Sequence, residues 1–150
     1  ENISPAILKH IPLTEYLLEY FILRNKLYTS LSTLHRAPFT KIYNQFRINL
    51  RDTKIDILLL SELQIAILEL KIRPLTRKDV LQQMEYIRWV TDNRDLLSKL
   101  FCLNLQKSKV HGFLIGQNSQ KNNEQLIENG FITLLDFEIV DTKLQITHYV

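Results

Sequence analysis

The segment KIDILLLSELQIAILELK, residues 54–71, decides the fold. Two apolar runs within it, Ile57 to Leu60 and Leu63 to Leu70, read as neighbouring strands. Ile, Leu and Ala fill both without clean alternation, the pattern of strands buried on both faces. Such strands should carry no charge, yet Asp56 begins the first, and Glu69 and Lys71 close the second. Glu69 and Lys71 are two residues apart and so project from the same face of a strand. A carboxylate in that setting is costly unless it is paired or coordinates a cation, so three charged groups at one sheet locus point to a metal site. The plainer alternative is that Glu69 pairs with Lys71 at a strand terminus and Asp56 marks a turn.

After Lys71 the chain reads Arg73-Pro74-Leu75-Thr76. Pro74 ends the strand, and Thr76 can cap a helix with Asp79 as its capping-box partner three residues on. The helix is expected from about Arg77 through Val90, with Gln82 and Tyr86, four apart, on a shared face. Apolar residues occur on more than one of its sides, Val80, Met84 and Ile87 against Tyr86 and Trp89, so periodicity leaves open which face meets the sheet.

An Asp, then Glu-x-Lys on the next strand, then Gln-x-x-x-Tyr on the following helix resembles the PD-(D/E)XK nuclease superfamily, in particular its RecB-like exonucleases and archaeal single-strand or mismatch endonucleases. The resemblance spans roughly residues 14–90. It implies a restriction-endonuclease-like αβββαβ core with a mixed sheet, here with a C-terminal hairpin extension. It also implies hydrolysis of DNA phosphodiester bonds, with an endonuclease as the expected form. Asp56 and Glu69, with the backbone carbonyl of Leu70, would hold Mg²⁺, for which Mn²⁺ would substitute. Lys71 would orient or help deprotonate the attacking water and offset developing charge. Gln82 would fix the water or the lysine, Tyr86 would support that geometry, and a glutamate on the first helix, Glu15 or Glu19, would face the site. Glu15, in its Thr-Glu-x-x-Leu context, is the favoured one. Two alternatives stand beside this reading: a catalytically inactive nucleic-acid-binding or assembly module on the same fold, and an RNA nuclease.

Composition limits the other classes. The 150 residues are 45% hydrophobic and 23% charged, which fits residues 1–150 as one domain with a real core. No uncharged apolar run approaches the ~20 residues of a spanning helix, and the first residues carry no signal-peptide pattern. Cys102 is the only cysteine, so no internal disulfide forms; with the four histidines scattered, no zinc-type cluster is expected. A cytoplasmic or nucleoid-associated, reducing setting follows as the expectation. The net charge of +3 tilts modestly towards an anionic partner. Only Gly112, Gly116 and Gly130 occur as glycines, which leaves no phosphate-cradling loop, and no Ser/His/Asp arrangement points to acyl transfer.

In chain order, Pro5 and Pro12 argue against a continuous helix at the start, and Thr14 opens a helical pattern through about Leu27. Residues 28–40 read as a polar loop carrying His35 and Arg36. Lys41 to Leu50 alternates as a half-exposed strand, and residues 51–54 turn into the strand of Asp56. Arg47, Arg51, Lys54, Arg73, Arg77 and Lys78 thereby flank the sheet edge that bears the carboxylates, where a phosphodiester backbone would lie. Asp95 to Leu105 is an amphipathic packing helix and Lys109 to Gln117 a further strand. A short helix is expected over Asn123 to Asn129, before Gly130, followed by a hairpin of Phe131 to Val140 with Lys143 to Val150. Double-strand cutting by one such domain usually takes two copies, so a homodimer is part of the expectation.

Overall fold

A computed structural model of the chain describes residues 14–31, 39–48, 53–117, 126, 130–140 and 143–148. Helix α1 (Glu15–Arg24) and a 3₁₀ turn (Leu27–Leu31) precede three strands, β1 (Lys41–Arg47), β2 (Lys54–Leu60) and β3 (Gln64–Leu70). Helices α2 (Arg77–Asp92) and α3 (Arg94–Phe101) lead to β4 (Lys109–Gly116), β5 (Ile132–Val140) and β6 (Lys143–His148). The six strands form one sheet in the order β1-β2-β3-β4-β5-β6. β1, β2 and β3 pair antiparallel, β4 and β5 add parallel to β3, and β6 returns antiparallel to β5, so the sheet is mixed and the fold α/β. Every residue of β3 is buried, as its continuous apolar run requires.

Each face of the sheet carries a helix. Leu18 and Ile22 of α1 pack with Ile57, Leu59, Leu68 and Phe113. Tyr86, Ile87 and Val90 of α2 pack on the other side with Leu58, Leu60, Ile65 and Ile67. The α2 stripe is spaced i, i+4, i+7 through Gln83, Ile87 and Val90, all buried. Gly112 of β4 makes room for it. A Cβ at that position would stand 2.6 Å from Gln83 Nε2 and 3.0 Å from Ile87 Cδ1.

The start of α2 is fastened as its sequence dictates. Thr76 accepts from the Asp79 N–H, and the Asp79 carboxylate accepts from the Thr76 N–H, a complete capping box. The guanidinium of Arg73 grips the same carboxylate through two bonds of 2.8 and 2.9 Å. Burial works against ionisation of Asp79, but Arg73 and the Thr76 donors outweigh it and hold the carboxyl below the usual range.

Some expectations need adjustment. The first helix ends at Arg24, where Asn25 caps it, and residues 27–31 form a 3₁₀ turn at the start of the segment read as loop. His35, Arg36 and Arg51 lie outside the described residues, as do most of the helix expected at 123–129 and the 141–142 turn. The expected packing helix ends at Phe101, and Cys102 stops it in the left-handed region at φ 54°. No helix among the described residues is long and apolar enough to cross a membrane.

Candidate functional site

The candidate site forms where β2 and β3 part. Their pairing runs from Leu60↔Ile65 to Ile57↔Leu68 and stops there, although β2 begins at Lys54 and β3 continues to Leu70. Beyond that point side chains take over from the backbone ladder. The Asp56 N–H donates to Glu69 Oε1 at 3.0 Å, and the Leu70 N–H donates to Asp56 Oδ2 at 2.9 Å. Backbone donors that would otherwise be orphaned therefore hold the two acids in the cleft between the strands.

A local irregularity aims these groups. Ile55 joins the cluster under α2, whereas Ile57 joins the one under α1, so the side-chain phase of β2 reverses through Asp56. β1 keeps one register with β2 on either side, Asn44↔Ile57 and Phe46↔Ile55, but Gln45 and Asp56 between them do not pair, and Gln45 sits at φ 54°. That left-handed geometry is costly for a residue with a Cβ and is characteristic of functional sites. Its amide Nε2 donates to Glu19 Oε2 at 2.7 Å and to Asp56 Oδ1 at 3.4 Å. Helix α1 is thereby tied to β2 through Gln45, and Glu19, Asp56 and Glu69 are connected through one hydrogen-bond network.

The electrostatics are those of acids crowded into a dry place. Glu19 and Glu69 are each only 4% exposed. Burial, and then the neighbouring Asp56 charge, push Glu69 well above the carboxylate range. Burial likewise pushes Asp56 up to about 6; Glu19 and Glu15 add to the rise, while the Leu70 N–H and Lys71 oppose it. Glu19 is raised by burial against the pull of Gln45 and Asn44. Its Oε1 is buried with no hydrogen-bond partner.

The other sequence-predicted residues fall as follows. Lys71 is half-buried just beyond β3, with its N–H on the Ile115 carbonyl and its charge acting on both Asp56 and Glu69. Leu70 is fully buried and gives its N–H to Asp56. Tyr86 is buried and donates to the Lys54 carbonyl at 3.4 Å; burial, then the charges of Glu69 and Asp56, raise its phenol above the usual value. Of the two helix glutamates, the structure brings Glu19 into the network, whereas Glu15 is half-buried in the first turn and reaches the acids through its charge. Gln82 is half-buried on α2, and its side chain makes no hydrogen bond to a described residue. Its neighbour Gln83 is the fully buried one, donating to the Ile67 carbonyl at 2.8 Å.

Arg47 and Lys54 are paired across β1 and β2 at the end of the sheet that carries the acids, and Arg77 and Lys78 occupy the first turn of α2 beyond Lys71. Arg73 lies there too, engaged with Asp79.

Gln45 and Gln83 lie outside the sequence motif of Asp56, Glu69, Lys71, Gln82 and Tyr86. Gln83 had a signal, a polar residue in register with Ile87 and Val90. Gln45 had none, because its role comes from backbone conformation.

Among the described residues no three His, Cys, Asp or Glu side chains stand in a metal-holding arrangement. The donor chemistry nevertheless fits a hard cation: carboxylate oxygens raised by burial and mutual repulsion, one of them orphaned. No family model matches the sequence, and a search of curated proteins finds no significant match.

Proposed function

We propose that this chain is a metal-dependent nuclease of the PD-(D/E)XK kind, hydrolysing DNA phosphodiester bonds with Mg²⁺ or Mn²⁺. The observation that supports this reading best is the reciprocal hold of Asp56 and Glu69 across the parted strands, with Lys71 beside both. Asp56 and Glu69, with the Leu70 carbonyl, would hold the ion, and Glu19 would contribute its unpartnered oxygen directly or through water. The bound ion would supply Lewis-acid polarisation of a phosphate oxygen and acidify water. Lys71 then orients the attacking water and offsets charge on the phosphate oxygens. As the water oxygen bonds to phosphorus, the P–O bond to the leaving 3′ oxygen breaks; the water's proton passes to the surrounding acids or solvent, and the leaving oxygen takes one up. Tyr86 steadies the start of β2 through the Lys54 carbonyl, and Gln82, one turn before Tyr86 on α2, would bind the water. Arg47, Lys54, Arg77 and Lys78 would follow the phosphodiester backbone. Arg73 first serves Asp79.

The test is incubation of plasmid, single-stranded DNA and RNA with the protein in Mg²⁺, Mn²⁺ or EDTA. Cleavage in either metal, lost in EDTA and lost in folded Asp56→Ala and Lys71→Ala, is the expected result. Cleavage by either variant at the wild-type rate overturns the assignment. RNA cut in place of DNA moves the substrate class. A second reading has an observation behind it: the acids' oxygens are partly occupied by backbone and Gln45 donors, as in a scaffold that binds nucleic acid without turnover. Binding without cleavage in any metal selects it. A homodimer belongs to the double-strand form of the proposal, and sedimentation of the protein on duplex DNA checks it.

A further inference from the structure

A cavity of about 380 Å³ opens at the opposite end of the sheet from the acids, between the last turns of α2, the start of α3 and the first residues of β4. Gln64 pairs with Lys109 there, five residues before Glu69, so the cavity lies roughly 17 Å along β3 from the carboxylates. Its size falls in the range of small-molecule sites. Arg94, Lys107, Lys109 and His111 line it, and no Asp or Glu does.

The cations are differently held. Arg94 is half-buried and fixed by two carbonyls, Nε donating to Thr91 O at 3.2 Å and Nη1 to Ser108 O at 2.9 Å. Carbonyls orient the planar fork but leave its charge uncompensated, and the rest of the fork keeps donors to spare. Neither Arg94, Lys107 nor Lys109 has an ion-pair partner among the described residues. Asp95, the acid nearest Arg94 in sequence, accepts from Gln106 instead. His111 is turned to Thr133 Oγ1 at 2.7 Å.

The apolar part adjoins this charge. Phe131 is 56% exposed and forms a wall of the cavity, and a second concavity of about 210 Å³ shares Phe131, Ile87 and Thr91 and is extended by Met84, with Arg88 and Asp92 also lining it. A basic pocket with no acid in its own lining, sharing an exposed aromatic ring with a recess walled by Met84 and Ile87, suits a ligand with a phosphate at one end and a flat ring at the other.

We propose that this cavity is a second, non-catalytic site for a nucleoside 5′-phosphate, its phosphate on Arg94, Lys107 and Lys109 and its base against Phe131. The ligand is a free nucleotide or the phosphorylated end of a strand, which share this chemistry. The inference stands apart from the hydrolytic reading, and its test runs in EDTA.

Calorimetry of the full chain with adenosine monophosphate and with inorganic phosphate is the measurement. One nucleotide per chain is expected, bound more tightly than phosphate. Lys107→Ala/Lys109→Ala, at two exposed positions, weakens both ligands by roughly tenfold or more. Phe131→Ala weakens the nucleotide by roughly tenfold and leaves phosphate unchanged. A 5′-phosphorylated oligonucleotide compared with its 5′-hydroxyl twin distinguishes a strand end from the free nucleotide as the source. No binding of nucleotide at millimolar concentration overturns the proposal. So does nucleotide binding of wild-type strength in the double lysine variant.

Discussion

Asp56 gives the most direct residue-scale test of the site's electrostatics. Its carboxyl, with an ordinary value of 3.8, is pushed up to about 6 by burial and by the charges of Glu19 and Glu15. Between those values the folded chain binds more protons than the unfolded one, so stability falls as pH rises. The contribution is fully present below pH 3.8 and is lost as pH passes about 6; Glu69, also raised, acts in the same direction. Denaturant unfolding in EDTA should therefore show wild type losing stability relative to Asp56→Asn between pH 4 and 7. A difference that stays flat across that window contradicts the buried-acid account. Gly112 offers a steric test of the same core. An added Cβ would meet Gln83 Cγ at 2.9 Å and Nε2 at 2.6 Å, both part of a side chain pinned to the Ile67 carbonyl. Gly112→Ala is expected to cost about 1–3 kcal/mol in chemical unfolding. A neutral result would mean that α2 rides higher over β4.

At the scale of elements, what the sequence disclosed was what local chemistry encodes. The buried strands β2 and β3 follow from their apolar runs, and the start of α2 follows from Thr76 and Asp79. That cap is testable: Thr76→Ala should lower stability by about 1 kcal/mol. Asp79→Ala should cost more, because it also strips Arg73 of its partner. Equal effects of the two would show that Arg73 contributes nothing. What the sequence left open was decided by packing. Glu15 and Glu19 are both plausible on a helical wheel; only docking of Leu18 and Ile22 onto the sheet turns Glu19 inward. The face of α2 was equally undetermined, because apolar side chains surround it. A glycine on β4, 29 residues after Gln83, settles which glutamine is buried. The left-handed turn at Gln45 is a product of strand pairing and has no signature in residue type.

For the whole molecule, one mixed sheet with a helix on each face brings α1, β1, β2 and β3 to a single end, where the acids meet and the basic residues gather. Order along the chain made that gathering legible, since Asp56, Glu69 and Lys71 sit at strand ends that antiparallel pairing places side by side. The parting of the strands, which lets backbone donors hold the acids, is a tertiary feature and was not. A divalent ion that binds the folded chain alone should raise its melting temperature with concentration, and should do so more at pH 7.5 than at pH 5, where Asp56, pushed up to about 6, holds its proton. The central claim is that Asp56 and Glu69 jointly take a divalent cation, and anomalous diffraction from crystals soaked in Mn²⁺ addresses it most directly. The account predicts a manganese peak within coordination distance of both carboxylates, absent from Asp56→Asn crystals. Ordered carboxylates with no peak between them in saturating Mn²⁺ at pH 7.5 would contradict it.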